Sequence, residues 1–186
     1  GGGCIDNATE HRASILIVDD LPEKLLVFES ILEELGQNIV TARSGSDALR
    51  EILQREFAVI LLDVNMPDID GLETAKLIRQ YKKSSLTPII FITAYADEMQ
   101  TAQGYSPGAL DYILSPVRPD VLRSKVKVFV ELYQMQARTR AMAEEKVARE
   151  MAEEASRRSA LLAHASRELG ASLDLEQGMK RLLELV

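Results

Sequence analysis

The sequence is short of several things, and each shortage excludes a class of protein. It has a single cysteine, Cys4, beside a glycine run. Neither a disulfide framework nor a cysteine-ligated zinc site can be assembled from it, and a reducing, cytoplasmic setting is the expectation. Cations do not predominate, since 22 Lys and Arg stand against 29 Asp and Glu for a formal net charge of −7. Without a basic stripe to neutralise phosphates, direct binding to nucleic acid is not expected. No apolar run approaches the roughly 18 residues that a membrane span needs, and no signal-peptide pattern precedes the first apolar segment, so direct membrane insertion is not expected. Lastly, neither glycine nor proline occurs from Asp120 to Leu169, which removes the usual helix breakers from a long stretch.

What is present suffices for one ordinary core with a segment left over: 186 residues, 46% of them hydrophobic. Short apolar runs at Ile15 to Val18, Ile39 to Thr41, Ala58 to Leu62, Ile89 to Ile92 and Tyr112 to Leu114 alternate with helical patterns. The third and fourth runs are apolar without alternation, as parallel strands covered on both faces should be. Between the first two, Leu25, Leu26, Phe28, Ile31, Leu32 and Leu35 recur at helical spacing over Glu23 to Leu35, with Pro22 at the mouth and Gly36 as a stop. Similar helical patterns start at Ser46 and after Gly71. The pattern predicts an α/β fold with a five-stranded, parallel, doubly wound sheet.

After Pro119 the breaker-free stretch predicts one long helix of about 75 Å if continuous. Glu145 and Arg149, Glu153 and Arg157, and Glu154 and Arg158 lie four apart and suit an exposed helix. Partial heptad rows, Phe129, Gln136 and Ala143 beside Val126, Tyr133, Arg140 and Val147, point to a parallel coiled-coil homodimer along this C-terminal helix. Gly170 and Ser172 to Leu175 are expected to interrupt it, and Glu176 to Val186 to begin another amphipathic helix. That helix's apolar face has no partner in the sequence, so a longer parent protein is expected.

In an open parallel sheet, ligands gather where loops leave the carboxyl ends of the strands. Asp19 and Asp20 directly follow the first apolar run and Asp63 ends the third, so three carboxylates should converge on one sheet edge. Such a cluster needs a hard cation, and its oxygen donors suit Mg²⁺. A metal there can bridge a carboxylate and an incoming phosphate, with Asp63 placed for attack on phosphorus.

The run Asp63-Val64-Asn65-Met66-Pro67-Asp68-Ile69-Asp70-Gly71 resembles the response-regulator receiver pattern of two-component systems: an aspartate, two residues, Met-Pro, two residues, Asp-Gly. The acidic pair Asp19 and Asp20, the hydroxyl of Thr93 and the aromatic ring of Tyr112 fall in the family's order. The segments Gly104 to Ala109 and Asp111 to Leu114 are similar to receivers joined to sensory modules. The resemblance implies a flavodoxin-like fold with Asp63 as phosphoacceptor. It also implies Mg²⁺ held by Asp19, Asp20, Asp63 and the backbone carbonyl of Asn65, and a switch made of Thr93 and Tyr112. The expected phosphoryl donor is a histidine kinase or phosphotransfer protein. The expected function is Mg²⁺-dependent phosphorelay signalling through the helix to an output domain. The domain itself is regulatory, not a metabolic enzyme, although its parent is expected to be a kinase, a phosphatase or a cyclic-dinucleotide enzyme. A dehalogenase-type phosphatase needs a second aspartate where Asn65 stands.

One position departs from the family: Ser115, not lysine, precedes Pro116, and the nearby Arg118 is a candidate replacement. A degenerate pseudo-receiver serving as a binding and dimerisation scaffold is therefore the alternative. The expected layout is a tag or disordered N-terminus over 1–12, a receiver domain over 13–133, a signalling helix over 134–169, and the start of a truncated output or sensory domain over 170–186. Ser159 onward is similar to the helix leading into a GAF domain. Ser166 to Leu169 also resembles a histidine-kinase phosphoacceptor box with Arg167 in place of histidine. His164 reads as a helix-surface residue, and His11 precedes the fold.

Overall fold

The computed structural model describes residues 12–98 and 109–185, so the readings made for 1–11 and for Gly104 to Gly108 lie outside the described residues. In chain order the elements are β1 (Ser14–Val18), α1 (Pro22–Leu32) with a 3₁₀ turn (Glu33–Leu35), β2 (Asn38–Ala42), α2 (Gly45–Gln54) and β3 (Val59–Asp63). Then come α3 (Gly71–Gln80), a 3₁₀ turn (Lys82–Ser84), β4 (Ile89–Thr93), β5 (Ala109–Leu114) and α4 (Pro119–Leu183). The five strands form one sheet in the order β2-β1-β3-β4-β5, and every pairing is parallel. This is the doubly wound architecture that the alternating pattern predicts.

Period-two side-chain alternation divides each strand between two cores. Ile15, Ile17, Val59, Leu61, Ile90, Ile92 and Ile113 face Leu25, Phe28 and Leu32 of α1 and Leu122, Val126 and Val130 of α4. On the other side, Leu16, Val18, Ile60, Leu62, Ile89 and Phe91 meet Ala48 and Ile52 of α2 and Ala75 and Ile78 of α3. Both faces are covered, so β3 and β4 are buried at every residue, which is why neither shows polar alternation.

Local chemistry sets the element ends. Pro22 opens α1, and the pattern expected to run as one helix to Leu35 tightens to 3₁₀ after Leu32 before Gly36 closes it at φ 65°. The Ser44 hydroxyl accepts from Asp47 N at 3.0 Å to cap α2. Asp70 Oδ1 accepts from Glu73 N at 2.8 Å to cap α3. Gly71 then lets α3 start against the end of β3, because a Cβ there would lie 2.1 Å from the Asp63 carbonyl oxygen and 2.8 Å from Val64 Cα. The Asp-Gly that closes the motif is thus a helix cap followed by a close backbone approach.

The first turns of α4 belong to this unit, which extends to Gln136. Val126 is fully buried, and Phe129 and Tyr133 pack against the same core. Residues expected to begin a coiled-coil seam are therefore occupied within the chain, and exposed apolar side chains resume at Met135, Met142, Val147 and Met151. The second unit, from Ala137, is helical to Leu183 and exposed along its described length. Its ion pairs include Lys146 with Glu150 at 3.9 Å and Arg149 with Glu153 at 3.6 Å, so Arg149 reaches forward rather than back to Glu145. The helix runs through Gly170 to Leu183 without the expected interruption. One glycine costs a helix only about 1 kcal/mol relative to alanine, which flanking turns absorb when no proline follows. Among the described residues, no helix is long and apolar enough to cross a membrane.

Candidate functional site

The sheet order places the topological switch point between β1 and β3, the crevice where ligands of such sheets gather. The register pairs Val18 with Leu62, so Asp63 and the two residues after β1 emerge side by side. Carboxylate oxygens of Asp19, Asp20 and Asp63 lie within 4.8 Å of one another. Asp19 is 0% exposed and Asp63 4%. The convergence expected from the strand ends is present.

Each buried acid is held by few donors. Asp19 Oδ1 accepts from Leu21 N at 2.9 Å, whereas its Oδ2 is buried without a hydrogen-bond partner among the described residues. The Nζ of Lys24, in the first turn of α1, stands 3.5 Å from that oxygen. Burial pushes the Asp19 carboxyl above its ordinary range, opposed by the Leu21 N–H and by Lys24, while Asp20 adds to the rise. Asp63 is pushed up to about 6, first by burial and then by the Asp19 charge, with Asp20 adding and Lys24 and the Asn65 N–H opposing. An orphaned buried oxygen within a cluster of hard oxygen donors fits a divalent cation of the Mg²⁺ class. Asp19, Asp20 and Asp63 are the residues that would hold it.

Around this cluster stand the other expected residues. Thr93 ends β4 and is 2% exposed. Its hydroxyl accepts from Tyr95 N at 3.2 Å and donates to the carboxylate of Glu98. Asn65 Nδ2 donates to the same Glu98 oxygen at 3.1 Å, so one carboxylate bridges two residues of the site. Tyr112 lies opposite Phe91 in β5 and packs half-buried against the α2–α3 core. Ser115 follows β5, with its N–H on the Thr93 carbonyl at 2.8 Å and a cis peptide bond to Pro116. Arg118 is exposed and pairs with Asp120 at 2.9 Å; the structure does not bring it to the carboxylates. Sequence reasoning missed Lys24 and Glu98. The signal for Lys24 was available: it is the third residue of a helix that begins just after the acidic pair, and such a side chain reaches back toward the residues before the helix. Glu98 lies in a helical turn shortly after β4, and nothing in its spacing from Thr93 singles it out.

The geometry agrees with the comparisons. Residues 15–127 match the model of the response regulator receiver domain. This chain is a member of that family. Receiver domains are regulatory modules of two-component systems, and they generally bind Mg²⁺ through an acidic cluster of this kind. The receiver is 32% identical over 120 residues to the signal transduction histidine-protein kinase BarA of Escherichia coli K12, a match covering 64% of this chain and 13% of BarA. It is 34% identical over 116 residues to the transcriptional regulatory protein SrrA of Staphylococcus aureus, covering 62% and 47%. The chain thus spans less than half of these relatives. Among solved structures, the chemotaxis protein CheY4 of Vibrio cholerae superposes with a TM-score of 0.59 at 28% identity, covering 63% of this chain and 98% of CheY4. The receiver domain of a histidine kinase from Syntrophus aciditrophicus gives 0.58 at 30%, covering 64% and 90%.

Proposed function

We propose that the receiver accepts a phosphoryl group on Asp63 from a phosphohistidine of a histidine kinase or phosphotransfer protein, and that this biases the Thr93–Tyr112 region. The observation that supports this most directly is the convergence of Asp19, Asp20 and Asp63 at the switch point, with a buried oxygen of Asp19 that has no hydrogen-bond partner among the described residues. At neutral pH, Asp63 is above its own titration point of about 6 and is largely ionised, hence nucleophilic. Its oxygen attacks phosphorus, a new O–P bond forms, the donor's N–P bond breaks, and the electron pair returns to the imidazole. Mg²⁺, when bound by Asp19, Asp20 and Asp63 with the Asn65 carbonyl, supplies charge neutralisation and alignment. The Asn65 N–H steadies the Asp63 carboxylate. Thr93 has a hydroxyl to offer the acquired phosphoryl oxygens once it leaves Glu98.

The helix after Tyr133 carries the state of the receiver to an output domain with a GAF-like beginning, in a cytoplasmic homodimer joined along exposed apolar positions from Met135 onward. The scaffold alternative rests on Ser115 alone. Intact-mass analysis after incubation with a small acyl phosphate tests the phosphoacceptor assignment. One phosphoryl adduct should form with Mg²⁺, none in EDTA and none in Asp63→Asn. An adduct of undiminished yield in the Asn variant would refute the assignment.

A further inference from the structure

A phosphoryl group entering this pocket brings negative charge to three carboxylates, two of them buried. A divalent cation offsets part of that charge, and a protein cation must offset more if transfer is to be fast. Two positions near β5 do not supply it: Ser115 is neutral, and Arg118 is turned outward to Asp120 at 2.9 Å. The cation that faces the cluster comes from the opposite side of the site. Lys24 Nζ lies 3.5 Å from Asp19 Oδ2, and its charge acts on Asp63 as well as on Asp19.

Two physical features set Lys24 apart from an ordinary surface ion pair. It is the third residue of α1, where the positive end of the helix disfavours a cation, so the acidic cluster must outweigh that field. Its partner oxygen is buried and, among the described residues, makes no hydrogen bond of good geometry, so at 3.5 Å the ammonium is held loosely, chiefly by charge. The side chain is 39% exposed, and its flexible four-carbon stem with three N–H donors can turn from a carboxylate to a phosphate oxygen arriving beside it.

We propose that Lys24 is the phosphoryl-facing cation of this receiver, a catalytic residue that contacts the transferring group from α1 and fills the role left open at Ser115. This rests on the phosphoacceptor reading of Asp63. Lys24 stays protonated throughout; the bonds made and broken are those at phosphorus.

The test uses the full chain as wild type, Lys24→Ala, Ser115→Lys and the double variant, with two readouts. Mg²⁺ titration followed by tyrosine fluorescence should show Lys24→Ala binding the ion several-fold more tightly, because a like charge has left its ligands. Phosphorylation by a small acyl phosphate at saturating Mg²⁺, timed by intact mass, should be slower in Lys24→Ala by about tenfold or more. Ser115→Lys should restore most of that loss in the double variant while changing the wild-type rate by less than about threefold. Slower transfer with tighter metal binding is not what a merely damaged fold produces. Equal rates in wild type and Lys24→Ala would overturn the role of Lys24. So would equal acceleration by Ser115→Lys in both backgrounds, or a slow variant that also binds Mg²⁺ more weakly. A wild-type protein that labels nowhere would instead overturn the phosphoacceptor reading, and this proposal with it.

Discussion

Replacing Asp63 by Asn removes a charge that the folded protein holds at a cost, and the structure sets the size of the effect. The carboxyl is raised from 3.8 to about 6, and each unit corresponds to roughly 1.4 kcal/mol, so keeping Asp63 ionised disfavours the fold by up to about 3 kcal/mol. The folded-state value is the higher one. The proton is therefore bound more tightly in the native protein, and its stabilising contribution is complete below about pH 3.8 and lost as the pH rises through about 6. Asn keeps an acceptor for the Asn65 N–H and carries no charge toward Asp19 and Asp20. In EDTA at pH 8 the Asn variant should be more stable than wild type by about 2–3 kcal/mol, narrowing toward zero near pH 4. With urea slopes of about 1.5 kcal/mol/M the midpoint moves by about 1.3–2 M. The sequence has no tryptophan and no tyrosine beyond Tyr133, so tyrosine fluorescence reports the receiver without the distal helix. Mg²⁺ at about a hundred times its Kd should add about 2.7 kcal/mol to wild type and close the gap. An Asn variant no more stable than wild type at pH 8 in EDTA, or an advantage independent of pH, would refute the reasoning.

Other outcomes follow from packing. Gly71→Ala forces a Cβ to within 2.1 Å of the Asp63 carbonyl oxygen, so α3 or the end of β3 must shift; urea denaturation should show a loss of about 2–3 kcal/mol, and a loss below about 0.5 kcal/mol would contradict the close approach. If the exposed positions from Met135 onward form the seam, sedimentation equilibrium should give a dimer for the full chain and a monomer for a truncation after Gln136. A dimeric truncation would move the interface to the receiver.

The sheet was legible because burial on both faces removes alternation: β3 and β4 read directly as apolar runs. Strand ends followed from those runs, and with them the acidic cluster. β5 was read short, since Ala109-Leu110-Asp111 does not look like a strand until its pairing with β4 supplies the reason. Lys24 escaped because one turn of helix folds it back over residues that precede it, and Arg118 stayed an open candidate because proximity in sequence to Ser115 says nothing of direction; the structure turns it to Asp120. At the other end, Gly170 was weighed as a stop when its cost is small enough for the helix to absorb. The first members of the heptad rows, Val126, Phe129 and Tyr133, serve the receiver's own core, which was not legible for a different reason. Apolar spacing that packs a helix on its own core is the same as spacing that would serve a second helix, and periodicity cannot tell the two apart.

A threonine hydroxyl has one proton to give, and in this receiver Thr93 gives it to Glu98. Any acceptor that enters the pocket and takes this proton therefore takes part in an exchange, not an addition: Glu98 must give up the Thr93 hydroxyl, keeping only the Asn65 Nδ2 donor, before the newcomer is served. In the switch proposed above, the bias between resting and activated states would be the difference between two anionic acceptors for the same donor, which is smaller than either contact alone and is adjustable from either side. Weakening Glu98 as an acceptor should raise the resting population of the released threonine without any change at Asp63, so the threshold of the switch proposed above would be set partly by a residue that the sheet-end motif does not contain.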